Sequence, residues 1–203
     1  MLDKPPAILL IGPTGSGKTP LGELIERNGL WGRCCRHFDF GAHLRRIAAD
    51  DPPDYLGPED VAFVEAVLRA GALLEDEHFH IAENILCAFI AQCDADDVVV
   101  LNGLPRHVGQ AHDIDAFVRV YTVVELYCTP EATHERIRTN AGGDRFGRVD
   151  DHPDDVEDKL SVYSERTAPL LDHYRRLGVR LERLEVHSGS TPQELWATLN
   201  ART

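Results

Sequence analysis

Apolar residues in this chain gather into short dense runs, set apart by longer stretches in which they recur at helical spacing. Ala7 to Ile11 and Val98 to Leu101 are wholly apolar, and Val120 to Cys128 is largely so. Runs of this length without alternation are expected of strands buried on both faces. Arg36 to Phe40 and Val179 to Val186 read as two further strands. Helical spacing covers Thr19 to Arg27, which stops at Asn28 and Gly29, and about Ala42 to Ala49, which ends before Asp51, Pro52 and Pro53. Pro58 opens a helix that closes at Gly71, with proline at the start and glycine at the stop. Leu74 to Cys93 reads as one long helix, and Pro130 starts another. Pro153 to Leu177 carries Val156, Leu160, Tyr163, Leu170 and Tyr174 on a common face, and Thr191 with Pro192 caps a final helix containing Leu195, Trp196 and Leu199.

Strand–helix alternation from end to end predicts an α/β fold, a parallel sheet with helices on both faces. The 203 residues show no repeat, low-complexity tract or linker, so a single domain spanning 1–203 is expected.

Charge narrows the partners. A net charge of -13, from 21 basic and 34 acidic residues, gives no footprint for a nucleic-acid backbone or an anionic membrane. No apolar run approaches the roughly 20 residues that span a bilayer. The opening residues Met1 to Pro6 lack the features of a signal peptide. The five cysteines form no C-x-x-C pair, as expected of reduced structural thiols. The expectation is a cytoplasmic monomer that binds small molecules. His78 and His80, two apart on a helix, would point to different sides and make no metal site, and Asp94 to Asp97 reads as a solvated loop.

The strongest chemistry lies just after the first strand. Gly12, Pro13, Thr14, Gly15, Ser16, Gly17, Lys18 and Thr19 fit G-x-x-x-x-G-K-[ST] between a buried strand and a helix. Such a loop turns several N–H groups inward at a helix N-terminus, a concavity made for phosphate. Lys18 then reaches the β- and γ-phosphates of ATP, and the Thr19 hydroxyl is set beside Mg2+. By itself the loop does not separate kinases from other nucleotide-driven proteins.

Four further segments do. They are Phe40-Gly41-Ala42-His43-Leu44-Arg45; the stretch from Gly71 through Leu74 to Glu77; Asn102-Gly103-Leu104-Pro105-Arg106 with Gln110; and a stretch from Arg136 through Arg148, Asp150 and Asp151 to Lys159, Tyr163 and Thr167. With the phosphate loop, and in this order, they resemble the adenylate kinase family of nucleoside monophosphate kinases over nearly the whole chain. The resemblance implies a P-loop three-layer α/β/α fold with a helical monophosphate-binding insertion at about 41–94 and a short lid at about 139–150. It implies transfer of the γ-phosphoryl group of ATP to AMP or a related monophosphate, with Mg2+. By the same resemblance, Gly12, Thr14, Gly15, Ser16, Gly17, Lys18, Thr19 and Arg136 bind the donor. Gly41, Arg45, Leu74, Gly103, Arg106, Gln110, Arg145 and Arg148 bind the acceptor or the transferring phosphates. Lys18, Arg106, Arg136, Arg148 and Lys159 carry the catalysis. The lid holds no cysteine, which excludes the zinc-binding lid of some members.

The residue types suit the reaction. Donor and acceptor bring several negative charges together, and arginine's planar fork binds phosphate oxygens bidentately while staying protonated. The acceptor is already an oxyanion, so no general base is needed, and catalysis reduces to alignment and charge stabilisation.

The chain also departs from the family pattern. Asn102 and Ala42 stand where the family has aspartates near the metal. Asn102 is left as an outer contact there, and Asp39, three residues before Ala42, is a candidate to compensate. Asn140 stands where arginine is frequent, with Arg145 as a candidate substitute. Lys159 replaces an arginine, Pro20 follows the phosphate loop, and Phe40 replaces a small polar residue beside the acceptor's base. Two other readings therefore stay open: a nucleotide-binding protein of this fold with weak or no transfer, and a P-loop kinase for another small acceptor.

Overall fold

The computed structural model describes residues 4–49, 52–70, 72, 74, 76–144 and 153–202. The apolar runs become strands β1 (Pro6–Ile11), β2 (Cys35–Asp39), β3 (Val98–Asn102), β4 (Arg119–Cys128) and β5 (Arg180–Val186). They pair in the order β2-β3-β1-β4-β5, parallel throughout. Side-chain parity sorts β1 and β3 into two cores. Ala7, Leu9, Ile11, Val99 and Leu101 pack on one side of the sheet, and Ile8, Leu10, Val98 and Val100 on the other. Full burial of such an aliphatic side chain contributes about 1.5–3 kcal/mol. A polar residue of either parity is therefore disfavoured here, which is why these runs do not alternate.

Helix α1 (Lys18–Asn28) covers the second face, joined there by the last helix. Helices α2 (Phe40–Ala48), α3 (Pro58–Ala70) and α4 (Phe79–Ile90) intervene between β2 and β3 and cover the first face, with α5 (Val108–Ile114) following β3. Helix α6 (Pro130–Thr139) follows β4. Next come α7 (Pro153–Val162), a π turn at Tyr163–Thr167, α8 (Pro169–Arg176), and α9 (Pro192–Asn200) after β5. Helix α9 begins on a capping box, Thr191 with Glu194. The result is the expected three-layer α/β/α arrangement.

Four details differ from the sequence reading. Phe40 belongs to α2 and not to a strand, because the Asp39 side chain accepts from Ala42 N and starts the helix one residue after β2. The stretch from Leu74 to Cys93 is not one helix. A 3₁₀ turn at Asp76–His78 precedes α4, where the His78 ring stacks on Phe63 at 3.6 Å and the Leu74 carbonyl accepts from Gln110. The helix from Pro153 is interrupted where Pro169 lacks the N–H that would continue the ladder; the Ala168 amide reaches back to the Tyr163 carbonyl, 2.8 Å away, and widens the turn. Asp97 is buried rather than solvated, its Oδ2 accepting from Asp94 N at 2.9 Å to close the turn into β3. Helix α5 gave no clear periodic signal and starts on His107, whose Nδ1 accepts from Gln110 N.

Candidate nucleotide site

Three adjacent strands, β2, β3 and β1, end at the same edge of the sheet and deliver Asp39, Asn102 and the loop after Ile11 side by side. In open parallel sheets, ligands sit outside the carboxyl ends of the strands where the strand order reverses. Here the chain leaves β1 for β2 and β3 on one side, then crosses to β4 and β5 on the other. A cleft opens at that edge, lined among others by Thr14, Gly15, Gly17, Lys18, Arg45 and Arg106. Gly12, Thr19, Asp39, Asn102, Gly103, Asp144, Lys159, Tyr163 and Thr167 line it as well.

The phosphate loop owes its shape to close approach and to backbone sign. A Cβ on Gly12 would lie 2.6 Å from Ser16 Oγ and 2.8 Å from the Leu126 carbonyl, so only glycine fits. Gly17 is the N-cap of α1 at φ 93°, a left-handed conformation that side-chain-bearing residues rarely adopt. Ser16 is fully buried inside the loop. The Lys18 ammonium donates to the Gly12 and Pro13 carbonyls at 2.7 Å each, so it lies folded across the loop it serves.

Beside it is a compact polar triangle. Thr19 Oγ1 donates to Asp39 Oδ2 at 2.6 Å, and the Asn102 amide donates to both Thr19 Oγ1 and Asp39 Oδ2 at 3.0 Å. The other carboxylate oxygen, Oδ1, accepts from Ala42 N at 2.8 Å. Burial opposes ionisation of Asp39, but the bonds from Thr19 and Ala42, with the charges of His37 and Arg45, outweigh it and hold its carboxyl below the ordinary value.

Arg106 stands opposite. It keeps much of its surface open to the cleft while protein crowds its guanidinium. That desolvation pulls its pKa down, and Asp39 pulls it back. Its carbonyl accepts from Thr167 Oγ1 at 2.8 Å, tying the turn after β3 to the π turn. Arg45 rises from α2 over Gly41, where an added Cβ would sit 3.2 Å from its Nη1. Gln110 is buried, its Nε2 donating to the Leu74 carbonyl at 2.7 Å and its Oε1 accepting from Arg106 N at 2.8 Å. Leu74 is itself buried in the core. In this conformation both ends of the Gln110 amide hold protein.

Arg136 lies beneath the loop rather than in the cleft lining. It is 1 % exposed. Its Nε donates to the Gly15 carbonyl at 3.0 Å, and Nη1 donates to the carbonyls of His187 at 3.0 Å, Ser190 at 2.8 Å and Ser188 at 3.4 Å. Arg145 and Arg148, with the rest of 145–150, lie outside the described residues. Asn140 closes α6 in a left-handed conformation. Away from the cleft, His80 bonds Asp60 at 2.9 Å.

The structure thus gathers Lys18, Thr19, Arg45, Asn102, Arg106 and Lys159 around one cleft, and sets Leu74, Gln110 and Arg136 in the layer behind it. Two lining carboxylates, Asp39 and Asp144, had no firm place in the sequence reading. Asp39 was named only as a candidate to compensate near the metal, from its place near a strand end; Asp144 carried no signal.

No protein-family model matches the chain. Among curated proteins, it is 34% identical to an adenylate kinase of Stenotrophomonas maltophilia (strain R551-3) over 178 residues, 84% of this chain and 86% of that protein. Similarity of the same kind extends to adenylate kinases of Parvibaculum lavamentivorans, 32% identical over 84% of this chain and 80% of the relative, and of Synechococcus sp. (strain WH7803), 33% identical over 85% and 86%.

Proposed function

The chain belongs to the adenylate kinase family and is a nucleoside monophosphate kinase, and from that premise we propose that it transfers the γ-phosphoryl group of ATP to AMP, giving two molecules of ADP. The observation that carries this reading is the cleft itself: a phosphate loop at the edge of β1, faced by Arg45 and Arg106 from the two segments on its other side.

The donor's β- and γ-phosphates lie in the concavity of loop N–H groups, where the start of α1 adds partial positive charge. Lys18 exchanges its two carbonyl contacts for phosphate oxygens, a modest reorganisation because its ammonium already spans the loop. Arg45 and Arg106 hold the acceptor phosphate, in line with the loop. Two unit charges about 4 Å apart interact by roughly 4 kcal/mol at an effective dielectric of 20, so each guanidinium offsets a comparable share of phosphate–phosphate repulsion. Lys159, with Arg145 and Arg148 in the lid, adds charge at the transferring group. Thr19 would hold Mg2+, which would supply positive charge against the charge developing on the donor phosphates. The carboxylate oxygen beside the Thr19 hydroxyl, from Asp39, suits a hard cation, and the Asn102 amide donates its N–H to both oxygens. Arg136 positions the loop through Gly15. Gly41, Leu74, Gly103 and Gln110 shape the acceptor pocket, with Gln110 turning from Leu74 to the base edge. Helices α2 to α4 form the monophosphate-binding insertion and 139–150 the lid of a monomer working in the cytoplasm.

A coupled assay for ADP, with ATP and Mg2+ and with AMP, CMP, UMP, GMP or dAMP supplied singly, tests this. Turnover of about 1–1,000 per second with AMP is the expected result. A preference for another monophosphate would reassign the acceptor, and no turnover with any would overturn the proposed reaction.

A further inference from the structure

In P-loop enzymes the hydroxyl after the lysine and an aspartate at the end of a neighbouring strand hold the divalent cation. The neighbour of β1 here is β3, and it ends in Asn102, which carries no charge. The carboxylate lies one strand further out. Asp39 ends β2 and is paired in register with Asn102. We propose that Asp39 is the protein carboxylate of the divalent-cation site, so that the charge has moved across one rung of the β2–β3 ladder while keeping its contact with Thr19. This rests on the nucleoside monophosphate kinase reading and names the residue that serves its metal.

Three observations carry it. First, Asp39 is oriented: Oδ1 is fixed by Ala42 N at 2.8 Å, which leaves Oδ2 on Thr19 Oγ1 at 2.6 Å. A carboxylate that merely capped α2 would need only the first of these bonds. Second, Asn102 is its complement. Its Nδ2 lies 3.0 Å from Asp39 Oδ2. A carboxylate at 102 would set two anions at hydrogen-bond distance, whereas an amide donates. Asp39 with Asn102 is therefore one exchange rather than the loss of a metal site. Third, the donors are hydroxyl and carboxylate oxygens in the cleft that holds Lys18, the set Mg2+ takes when substrate phosphates and water complete its shell.

The test is isothermal titration with the non-hydrolysable analogue AMP-PNP, in Mg2+ and in EDTA. It compares the unmodified chain with Asp39→Asn and with Asp39→Asn/Asn102→Asp. Asparagine retains the cap on α2, and circular dichroism verifies the fold. Asp39→Asn is expected to lose about 10–100-fold of the affinity gained with Mg2+. In EDTA it should bind no more weakly than the unmodified chain, because a carboxylate beside the phosphates repels them. The exchanged pair should regain the Mg2+ dependence. A gain with Mg2+ that Asp39→Asn leaves intact, or an exchange that restores nothing, overturns the assignment while leaving the kinase reading standing. No AMP-PNP binding in either buffer takes both down. Should Asp39→Asn fail to fold, Asn102→Asp alone decides. Two facing carboxylates should lower its melting temperature without metal and enlarge the rise on adding Mg2+; an unchanged response overturns the proposal.

Discussion

Arg136 offers the sharpest test of how the nucleotide site is supported. Its side chain is 1 % exposed and holds the Gly15 carbonyl at 3.0 Å, and those of His187 and Ser190 at 3.0 and 2.8 Å. A hydrogen bond to a charged group contributes about 1.5–3 kcal/mol, which puts an upper bound of roughly 4.5–9 kcal/mol on these three. In Arg136→Ala some carbonyls will take water as the space refills, so the expected loss is about 3–5 kcal/mol, at the high end for single substitutions. At about 2–4 °C per kcal/mol for a domain of this size, the melting temperature should fall by roughly 6–20 °C. Arg136→Lys keeps the charge without the planar fork and should fall between. Thermal and urea denaturation without nucleotide, followed by ATP titration of the folded fraction, separates support from direct contact. A stability loss under about 1 kcal/mol together with lost ATP affinity would refute the argument, since the guanidinium would then be serving phosphate rather than the loop.

Lys18→Ala should lower kcat by about 10²–10³ or more, as removal of a single charge-stabilising donor does, while circular dichroism stays unchanged; near-normal turnover would remove this loop from the chemistry. A Cβ at Gly22 would lie 2.2 Å from His37 Nε2. Gly22→Ala should therefore cost about 1–3 kcal/mol by overpacking, and Gly22→Ala/His37→Ala should recover much of it in urea midpoints, whereas simple additivity would deny the contact. Burial is the leading cause that lowers the pKa of His37, His43 and His173 from the ordinary 6.5. The unfolded chain then binds more protons just below that pH, so stability is full above 6.5 and is lost as pH falls toward the folded values. Asp39 is lowered too, from 3.8, and acts only in more acidic solution. Urea unfolding at about pH 7.5 and 5.5 should show the loss, and His37→Gln should reduce it; equal slopes in both proteins would exclude His37.

The fold was legible where burial on both faces leaves no room for polarity, as at Ala7 to Ile11 and Val98 to Leu101. The phosphate loop was legible because its chemistry is local: eight consecutive residues contain the turn, the lysine and the hydroxyl. What stayed hidden depends on register between distant segments. Asn102 and Asp39 bond across 63 positions, and only the β2–β3 pairing brings them level. Arg136 was expected by resemblance to touch the donor phosphates; its burial beneath the loop depends on the 187–190 turn, after β5 in the chain, packing against α6. The π turn was hidden for a different reason. Pro169 was visible, but a proline can kink, end or widen a helix, and the neighbouring Thr167–Arg106 contact is tertiary.

The charge distribution explains how an acidic protein can serve a polyanion. With a net charge of -13, the chain as a whole repels nucleotides. Many of its surface arginines lie against carboxylates: Arg36 on Glu26, Arg138 on Glu135, Arg180 and Arg202 on Glu182, and Arg183 on Glu185. Such pairs leave little field beyond their own contact, and each stabilises an exposed surface by at most about 1 kcal/mol. The cleft is arranged differently: among the described residues, its lining sets Lys18, Arg45, Arg106 and Lys159 beside the carboxylates Asp39 and Asp144. One of those carboxylates is held by Thr19, Asn102 and Ala42. At physiological salt the field of the outer surface decays over about 8 Å, whereas the walls of the cleft focus the field inside it. A phosphate chain that comes within that distance therefore meets local positive charge rather than the average, and the acidic exterior disfavours anions everywhere else.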